Sequence, residues 1–355
     1  MLVADDKGLL AIDESNGTCN KRFAKAGIAE SEEARRRYRE LIITTPGLAE
    51  CISGVILYDE TIRQARSDGT SFMEIIGAAG IIPGIKVDTG ARDLAGHAGE
   101  KVTEGLDGLR ERLREYFAMG ARFAKWRAVI SLDPGLPTRA CIDANAHALA
   151  RYASLCQEAG IVPVVEPEVL MDGDHSLESC SETTERVLRA VFDQLAVQGV
   201  DLAGMILKAN MVAPGLTCPA QPTADEVADA TVDVLRQVVP IEVAGVAFLS
   251  GGQSGELASA RLNAMNSSYK TPSAAAPWPL TFSYGRAIQQ PALEIWGGEG
   301  ANREAAQIAL LHRARCNRAA RQGLYTQLME ARPGAADEAV DRKMATMAIG
   351  EGAGR

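Results

Sequence analysis

Two lysines and two carboxylates stand in or at the ends of short apolar runs, where they could perform nucleophilic and acid–base chemistry together. Lys208 ends the run "GMILK", Lys125 lies in "AKWR", Glu166 lies in "VEPE", and Asp13 ends "GLLAID". A neutral lysine amine attacks a carbonyl carbon and forms a Schiff base. The carbinolamine intermediate loses water when a carboxyl group supplies a proton. The residue types therefore predict carbonyl chemistry through Lys208, with Glu166 as the general acid.

A lysine at the end of an apolar run has a simpler interpretation. Its stem can pack on apolar neighbours while its ammonium reaches water. A second ammonium close by favours the neutral form of an amine, whereas an ionised carboxylate opposes it. Lys125 and Glu166 would therefore act in opposite directions on a lysine between them, and the sequence leaves that balance open.

Two groups of residues have the types that bind phosphate. In "LSGGQS" (249–254) two glycines follow an apolar run, so backbone N–H groups can approach an anion. Arg286 in "FSYGRA" can donate two parallel hydrogen bonds to the same anion. A second basic group consists of Lys21, Arg22, Lys86 and Arg127. A Ser-Gly-Gly turn alone is common in ordinary loops, so the prediction of two phosphate sites rests on both groups together.

Eight apolar runs supply the strands that would position these residues. They are near-continuously apolar at their starts, as expected of strands that are covered on both faces. The runs span 8–13, 53–59, 81–88, 121–127, 161–169, 204–210, 245–252 and 280–287. Eight strands that alternate with helices predict an α/β fold of the TIM (β/α)8 barrel type, whose chemistry lies at the carboxyl ends of the strands. A doubly wound open sheet is the alternative, but no glycine fingerprint follows the first run.

Helical patterns occupy the segments between the runs. Ser31 with early acids begins a helix over 31–45, and Thr223 with Glu226 has the spacing of a capping box over 223–239. Further helices are expected over 143–160, 181–199 and 301–325. We expect one barrel domain over 1–330. Residues 331–355 are small and polar and predict a mobile C-terminal tail.

Composition excludes several classes of protein. The formal net charge of −9 is opposite to that of a nucleic-acid-binding surface, and no apolar run approaches the ~20 residues of a membrane helix. Seven cysteines without C-x-x-C spacing indicate thiols in a reducing compartment, and no signal peptide opens the chain. The four histidines, His97, His147, His175 and His312, are scattered, so no metal site is predicted.

The motifs that contain these residues resemble class I, Schiff-base fructose-1,6-bisphosphate aldolases over nearly the whole chain. They are "IDES", "PGIKVD", "GARFAKWR", "VEPE", "LKANMV", "FLSGGQS", "LNAMN" and "FSYGRA", in the family's order. The resemblance implies a metal-independent lyase with no cofactor. Its reaction would be reversible cleavage of fructose 1,6-bisphosphate to dihydroxyacetone phosphate and glyceraldehyde 3-phosphate, in glycolysis, gluconeogenesis or the Calvin cycle.

The resemblance also implies roles for individual residues. Lys208 matches the Schiff-base lysine, Glu166 the general acid/base with Glu168 beside it, and Asp13 and Lys125 groups that assist carbinolamine chemistry and C–C cleavage. One phosphate site would comprise Ser250, Gly251, Gly252, Ser283 and Arg286. The other would comprise Ser15, Thr18, Arg22, Lys86 and Arg127, with Arg22 moving when substrate binds.

The resemblance implies an assembly and, with the composition, a location. A homotetramer that binds sugar phosphates, and neither nucleic acid nor membranes, is expected in the cytoplasm, or in a plastid if the source is a photosynthetic eukaryote. The sequence departs from many members at Thr89, where they have lysine, and at Ala209, where they have proline. Many members also end in a tyrosine thought to assist proton transfer to the carbanion. Residues 331–355 contain none, so we expect this tail not to supply that proton.

Two other functions stay open at this point. A transaldolase or a single-phosphate aldolase would also use a Schiff-base lysine in a barrel, but would need only one phosphate site. A catalytically inactive scaffold that binds partners would have no need to retain Lys208, Glu166, Asp13 and Lys125 together. The presence of all four residues and of two basic groups favours the bisphosphate aldolase.

Overall fold

The eight apolar runs form eight parallel strands that close into a barrel in the computed structural model, which describes residues 1–268 and 275–331. The barrel strands are β1 (Gly8–Ala11), β2 (Ile52–Leu57), β3 (Ile82–Lys86), β6 (Phe123–Ile130), β7 (Val162–Val169), β8 (Ile206–Ala209), β9 (Val246–Phe248) and β10 (Leu280–Tyr284), and the inserted strands are β4 (Gly90–Asp93) and β5 (Lys101–Glu104). Their order around the barrel is β1-β10-β9-β8-β7-β6-β3-β2. The predicted single-domain TIM barrel is confirmed.

Helices surround the barrel between successive strands. They are α1 (Asn16–Lys25), α2 (Glu32–Ile43), α3 (Asp59–Ile62), α4 (Phe72–Ala78), α5 (Leu109–Ala118), α6 (Arg139–Glu158), α7 (Leu177–Val197), α8 (Ala224–Val238), α9 (Gly255–Ser268), α10 (Arg286–Trp296) and α11 (Arg303–Arg321). Short 3₁₀ turns occur at Leu48–Glu50, Leu202–Gly204, Gly300–Asn302 and Gln327–Glu330. Among the described helices, none is both long enough and apolar enough to cross a bilayer.

Local capping explains where the predicted helices begin. Thr223 and Glu226 form the predicted capping box of α8, and the Ser31 side chain caps α2. Helix α6 begins at Arg139, before the predicted start at 143, because the Thr138 hydroxyl accepts a hydrogen bond from the Cys141 amide at 3.3 Å.

Two apolar cores hold the fold together. The larger core fills the space between the strands and the helices. The smaller one lies inside the barrel and contains Leu9, Phe123, Val164 and Ile206. Gly84 on β3 leaves room for the Phe123 ring, since a Cβ atom there would lie 2.3 Å from the ring. The interior is therefore packed beneath the carboxyl ends of the strands, as in other barrels of this type.

One element was not predicted from the sequence. Strands β4 and β5 form an antiparallel hairpin between β3 and β6. The Thr103 hydroxyl of β5 donates a hydrogen bond to the Arg127 carbonyl at 2.8 Å, which fixes the hairpin against β6. The predicted mobile tail, 331–355, lies outside the described residues apart from Ala331.

Candidate active site

Strand periodicity brings the candidate catalytic residues to one end of the barrel interior. Alternate residues of a strand share a face. The interior apolar residues on three strands are Phe123, Val164 and Ile206, and the residues two positions further along are Lys125, Glu166 and Lys208. Asp13 likewise follows Ala11 of β1 by two positions. These four side chains therefore meet above the interior core.

The four residues form a chain of buried ion pairs. The Lys208 Nζ lies 2.8 Å from Glu166 Oε1, and the Lys125 Nζ lies 3.3 Å from Glu166 Oε2. The Lys125 Nζ also lies 2.7 Å from Asp13 Oδ2. Each of the four is at least nine-tenths buried. Glu166 Oε2 accepts no hydrogen bond from the described residues, so this oxygen has a lone pair left for a substrate group.

The charges of these four residues fix the protonation states of Asp13, Lys125 and Glu166. Burial alone would raise the pKa of Asp13, but the ammonium groups of Lys125 and Lys208 outweigh burial and lower this pKa to about 2. Burial would lower the pKa of Lys125, but Asp13 and Glu166 raise it above its ordinary value. Burial also opposes ionisation of Glu166, yet Lys125 and Lys208 hold its pKa below the usual range. At neutral pH, Lys125 is therefore a cation and both carboxylates are ionised.

A central cavity of about 610 Å³ opens above these residues. Lysine and arginine side chains outnumber carboxylates in its wall: they are Lys21, Arg22, Lys25, Lys86, Lys125, Arg127, Lys208 and Arg286, against Asp13, Glu14, Asp88, Glu166 and Glu168. The chain as a whole has a net charge of −9. A cationic cavity in an acidic protein favours a small anionic ligand, and its volume lies within the range of small-molecule sites.

One wall of the central cavity offers unpaired hydrogen-bond donors. Ser250, Gly251, Ser283 and Arg286 lie after β9, at the end of β10 and at the start of α10. The Ser283 hydroxyl is buried and has no hydrogen-bond partner among the described residues. Arg286 forms no ion pair within 1–268 or 275–331. The two donors are therefore free to bind an anion.

Two cations of the second predicted phosphate site, Lys86 and Arg127, are paired with carboxylates. The Lys86 Nζ lies 2.6 Å from Asp88 Oδ1, and the Arg127 Nε lies 2.5 Å from Glu168 Oε2. Asp88 also accepts the backbone N–H of Arg127 at 3.2 Å, which ties β3 to β6. An anion that binds Lys86 or Arg127 must therefore share these cations with Asp88 and Glu168.

Helix α1 presents its own donors to the central cavity. The Ser15 hydroxyl caps the helix by accepting the Thr18 amide, and both side chains line the cavity. Arg22 Nη1 lies 2.5 Å from Glu14 Oε1 and donates to Gln289 Oε1 at 3.1 Å. Arg39, which does not line the cavity, contacts the other Glu14 oxygen at 2.9 Å. Arg22 is therefore held at the wall by Glu14 and α10.

Every residue predicted for the site lines the central cavity except Gly252. A Cβ atom at Gly252 would lie 3.9 Å from the Arg286 guanidinium, so this residue is next to the wall without lining it. Sequence reasoning did not include Tyr58 or Lys25 in the site, and it assigned no role to the strand-end residues Glu14 and Asp88. Lys25 could have been found, because positions 18, 21, 22 and 25 lie on one face of a helix. Tyr58 stands beyond the end of β2 and had no motif to mark it.

Comparisons with known proteins agree over most of the chain. Residues 1–344 match the model of the family described as "Fructose-bisphosphate aldolase class-I". A probable fructose-bisphosphate aldolase class 1 of Xanthomonas axonopodis pv. citri is 55% identical over 325 residues, which cover 91% of this chain and 96% of that protein. The cytosolic fructose-bisphosphate aldolase 6 of Arabidopsis thaliana is 49% identical over 90% of this chain and 88% of its own length.

A solved structure gives the same result in three dimensions. It contains the fructose-bisphosphate aldolase of Plasmodium falciparum, to which this chain is 46% identical. The superposition has a TM-score of 0.89 and covers 92% of this chain and 93% of that one. The barrel and its surrounding helices are therefore shared nearly from end to end.

Proposed function

The chain belongs to the class-I fructose-bisphosphate aldolase family, and on this basis we propose that Lys208 forms the Schiff base in its reaction. As a member of this family it is a carbon–carbon lyase that cleaves fructose 1,6-bisphosphate reversibly to dihydroxyacetone phosphate and glyceraldehyde 3-phosphate.

The contact between Lys208 and Glu166 carries the proposal. Lys208 Nζ lies 2.8 Å from Glu166 Oε1 at the wall of the cavity, so the carboxylate can accept a proton from the amine before attack. The neutral amine then adds to the ketose carbonyl, and the proton on Glu166 leaves with the carbinolamine hydroxyl as water. Lys125 is less suited to attack, because Asp13 and Glu166 raise its pKa and keep it charged.

Cleavage of the C–C bond needs a base for the hydroxyl proton and a sink for the electrons. The protonated imine on Lys208 accepts the electron pair as the bond breaks. Glu166, which has given up its proton with the departing water, has Oε2 free of hydrogen bonds from the described residues and can accept the hydroxyl proton. Lys125 bridges Glu166 and Asp13, and so it holds both carboxylates in place during the charge changes.

Two phosphate groups would bind at different walls of the cavity. Ser283 and Arg286 have free donors, and Ser250 and Gly251 lie beside them, which supports this wall as one phosphate site. We assign the second phosphate to Ser15, Thr18, Arg22, Lys86 and Arg127, all of which line the cavity. Arg22 would have to exchange Glu14 and Gln289 for the phosphate, which agrees with the movement expected of it.

Assembly, pathway and compartment belong to the same proposal. The family's glycolytic name supports a role in glycolysis, with gluconeogenesis as its reverse direction. The cytosolic relative of Arabidopsis thaliana supports a cytoplasmic location. The homotetramer rests on the family resemblance alone, and light scattering coupled to gel filtration measures it directly.

An assay of fructose 1,6-bisphosphate cleavage tests the proposal. Replacing Lys208→Met should lower turnover by about 10⁴-fold or more, because the covalent route is lost. Lys101→Met is the matched control, since its side chain is 42% exposed on the β4–β5 hairpin. Wild-type turnover should also survive exhaustive chelation. Retention of wild-type turnover by Lys208→Met would refute the proposed nucleophile, and a loss on chelation that zinc restores would refute metal independence.

A further inference from the structure

Three groups of metal-ligand type meet on the outer side of the barrel. His312 and Cys316 lie one turn apart on α11, and Glu330 lies in the 3₁₀ turn after it. The Cys316 Sγ is 3.8 Å from the His312 Nε2, which is 3.9 Å from a Glu330 carboxylate oxygen. All three ligand atoms lie within 4.8 Å of one another. None of the three residues belongs to the described wall of the central cavity.

These separations suit a tetrahedral metal ion. Zinc bonds of about 2.0–2.3 Å to nitrogen, oxygen and sulfur place neighbouring ligand atoms roughly 3.4–3.6 Å apart. The separations of 3.8 Å and 3.9 Å exceed this by a few tenths of an ångström, and no pair of the three ligand atoms is more than 4.8 Å apart, so side-chain rotations would bring them to bonding distance. Imidazole and thiolate ligands select zinc over magnesium or calcium, which prefer oxygen.

The carboxylate already has the supporting contacts that metal ligands usually have. The Tyr325 hydroxyl donates to Glu330 Oε1 at 2.7 Å, and Arg313 donates to Glu330 Oε2. Arg313 is itself held by the Ser259 hydroxyl, which accepts its Nη2 at 2.9 Å. Ligating carboxylates are commonly oriented by such hydrogen bonds. A carboxylate oxygen has two lone pairs, so the bond from Arg313 leaves one for a metal.

Burial and charge are also compatible with a bound ion. Cys316 is fully buried, whereas the His312 and Glu330 side chains keep 11% and 17% of their surface exposed. This opening allows entry of an ion and a water molecule as the fourth ligand. The thiol would release its proton to solvent on binding. The thiolate and the carboxylate then carry two negative charges, which balance the two positive charges of the ion. The site as a whole keeps the single positive charge of Arg313.

We propose that His312, Cys316 and Glu330 form a zinc-binding site that fixes the Gln327–Glu330 turn to α11. The Arg313–Glu330 ion pair accounts for the position of Glu330, and His312 and Cys316 place a nitrogen and a sulfur ligand within 4.8 Å of its carboxylate. The site is separate from the reaction, because none of its residues is among those placed in the central cavity. The proposal is independent of the roles assigned to Lys208 and Glu166.

Cobalt(II) substitution tests this site in the full-length, reduced protein after removal of metals by chelator. One equivalent of cobalt should give the visible bands of a tetrahedral ion together with a near-ultraviolet thiolate-to-cobalt band, and zinc should abolish both. Cys316→Ser should lose the thiolate band. Glu330→Gln should weaken the binding of cobalt about tenfold or more, which is the usual loss of affinity when a supporting group of a metal site is removed. Cys156→Ser, at a buried cysteine on α6, is the matched control.

Cleavage activity separates loss of the ligand from loss of the fold. Cys316→Ser that cleaves fructose 1,6-bisphosphate at the wild-type rate is folded, so its missing band is due to the missing thiolate. His312→Gln provides a second variant, with the same expected loss of the tetrahedral bands. The proposal is overturned if the wild-type protein gives no thiolate band, or if folded Cys316→Ser or His312→Gln binds cobalt with the wild-type spectrum.

Discussion

Lys125 and Lys208 contact the same carboxylate, but they differ in how many anions surround them. Lys125 lies between Asp13 and Glu166, with two carboxylates within 3.3 Å. Lys208 has one such contact, with Glu166. The two carboxylates hold Lys125 as a cation that bridges them, whereas Lys208 contacts a single carboxylate at the wall of the cavity, where it can meet a carbonyl group. The division of labour between the two residues follows from this difference.

The depressed pKa of Asp13 predicts a loss of stability in acid. Its ionised form is stabilised in the folded state, so its contribution is complete above the unfolded value of 3.8 and is lost as the pH falls towards about 2. Between pH 5 and pH 2, this contribution falls by about 2 kcal/mol. Urea unfolding at the two pH values should therefore show a smaller loss of stability for Asp13→Asn than for wild type.

An exposed aspartate provides the control for this measurement. Asp107→Asn, at a surface position before α5, should follow the wild-type pH dependence. If Asp13→Asn and wild type lose the same free energy of unfolding between pH 5 and pH 2, the ion pair with Lys125 does not stabilise the folded state in the way described here.

Arg286 should bind a phosphate group directly. Its guanidinium has no ion pair among the described residues, so binding breaks no existing salt bridge. Arg286→Ala should reduce kcat/KM for fructose 1,6-bisphosphate by an amount equivalent to about 1.5–3 kcal/mol, the scale of a hydrogen bond to a charged group. Steady-state kinetics measure this, with Arg139→Ala, 93% exposed in its side chain, as the control. Unchanged kinetic constants would exclude Arg286 from the phosphate site.

Helix α1 is attached to the barrel through a carboxylate shared by two arginines. Glu14 contacts Arg22 and Arg39, and the Arg39 side chain is only 2% exposed. Glu14→Gln removes the negative charge between two desolvated guanidinium groups. We expect it to lower the free energy of unfolding by about 3 kcal/mol, as happens when one partner of a buried ion pair is removed. Chemical unfolding at neutral pH measures this loss.

An exposed ion pair gives the comparison for Glu14. Glu33 pairs with Arg36 but is 62% exposed, so Glu33→Gln should cost less than about 1 kcal/mol. Equal losses for Glu14→Gln and Glu33→Gln would show that the shared carboxylate does not hold α1 in place.

The strands and their interior faces could be predicted from the sequence because both depend on local pattern. Alternation alone places Lys125, Glu166 and Lys208 on the interior face of their strands once the barrel is recognised. The partners of Arg22 could not be predicted in this way. Gln289 lies 267 residues away, and its contact with Arg22 depends on how α10 packs against α1.

The His312–Cys316 pair has a signal in the sequence that the spacing of the histidines alone does not show. The spacing of four residues on one helix face brings these two side chains together. Glu330 is beyond the reach of such a rule, because it meets α11 through a tertiary ion pair with Arg313, in a turn whose Met329 is fully buried.

The C-terminal residues give a prediction for the whole molecule. Residues 332–355 contain no tyrosine, so they have no phenol to protonate the carbanion. Truncation after Ala331 should leave the rate of bisphosphate cleavage within about threefold of wild type, or roughly 0.65 kcal/mol. The cut must follow Ala331 because Met329 is buried and Glu330 accepts a hydrogen bond from Tyr325. A hundredfold fall in a folded variant would show that these residues take part by another group.

Borohydride reduction traps the proposed covalent intermediate of the reaction on the protein. The protein is incubated with dihydroxyacetone phosphate, reduced with sodium borohydride, digested and mapped by mass spectrometry. One stable adduct is expected on Lys208, whose amine lies 2.8 Å from Glu166 at the wall of the central cavity. An adduct on Lys125 or Lys86 with Lys208 unmodified, or no adduct in an active preparation, would contradict this expectation.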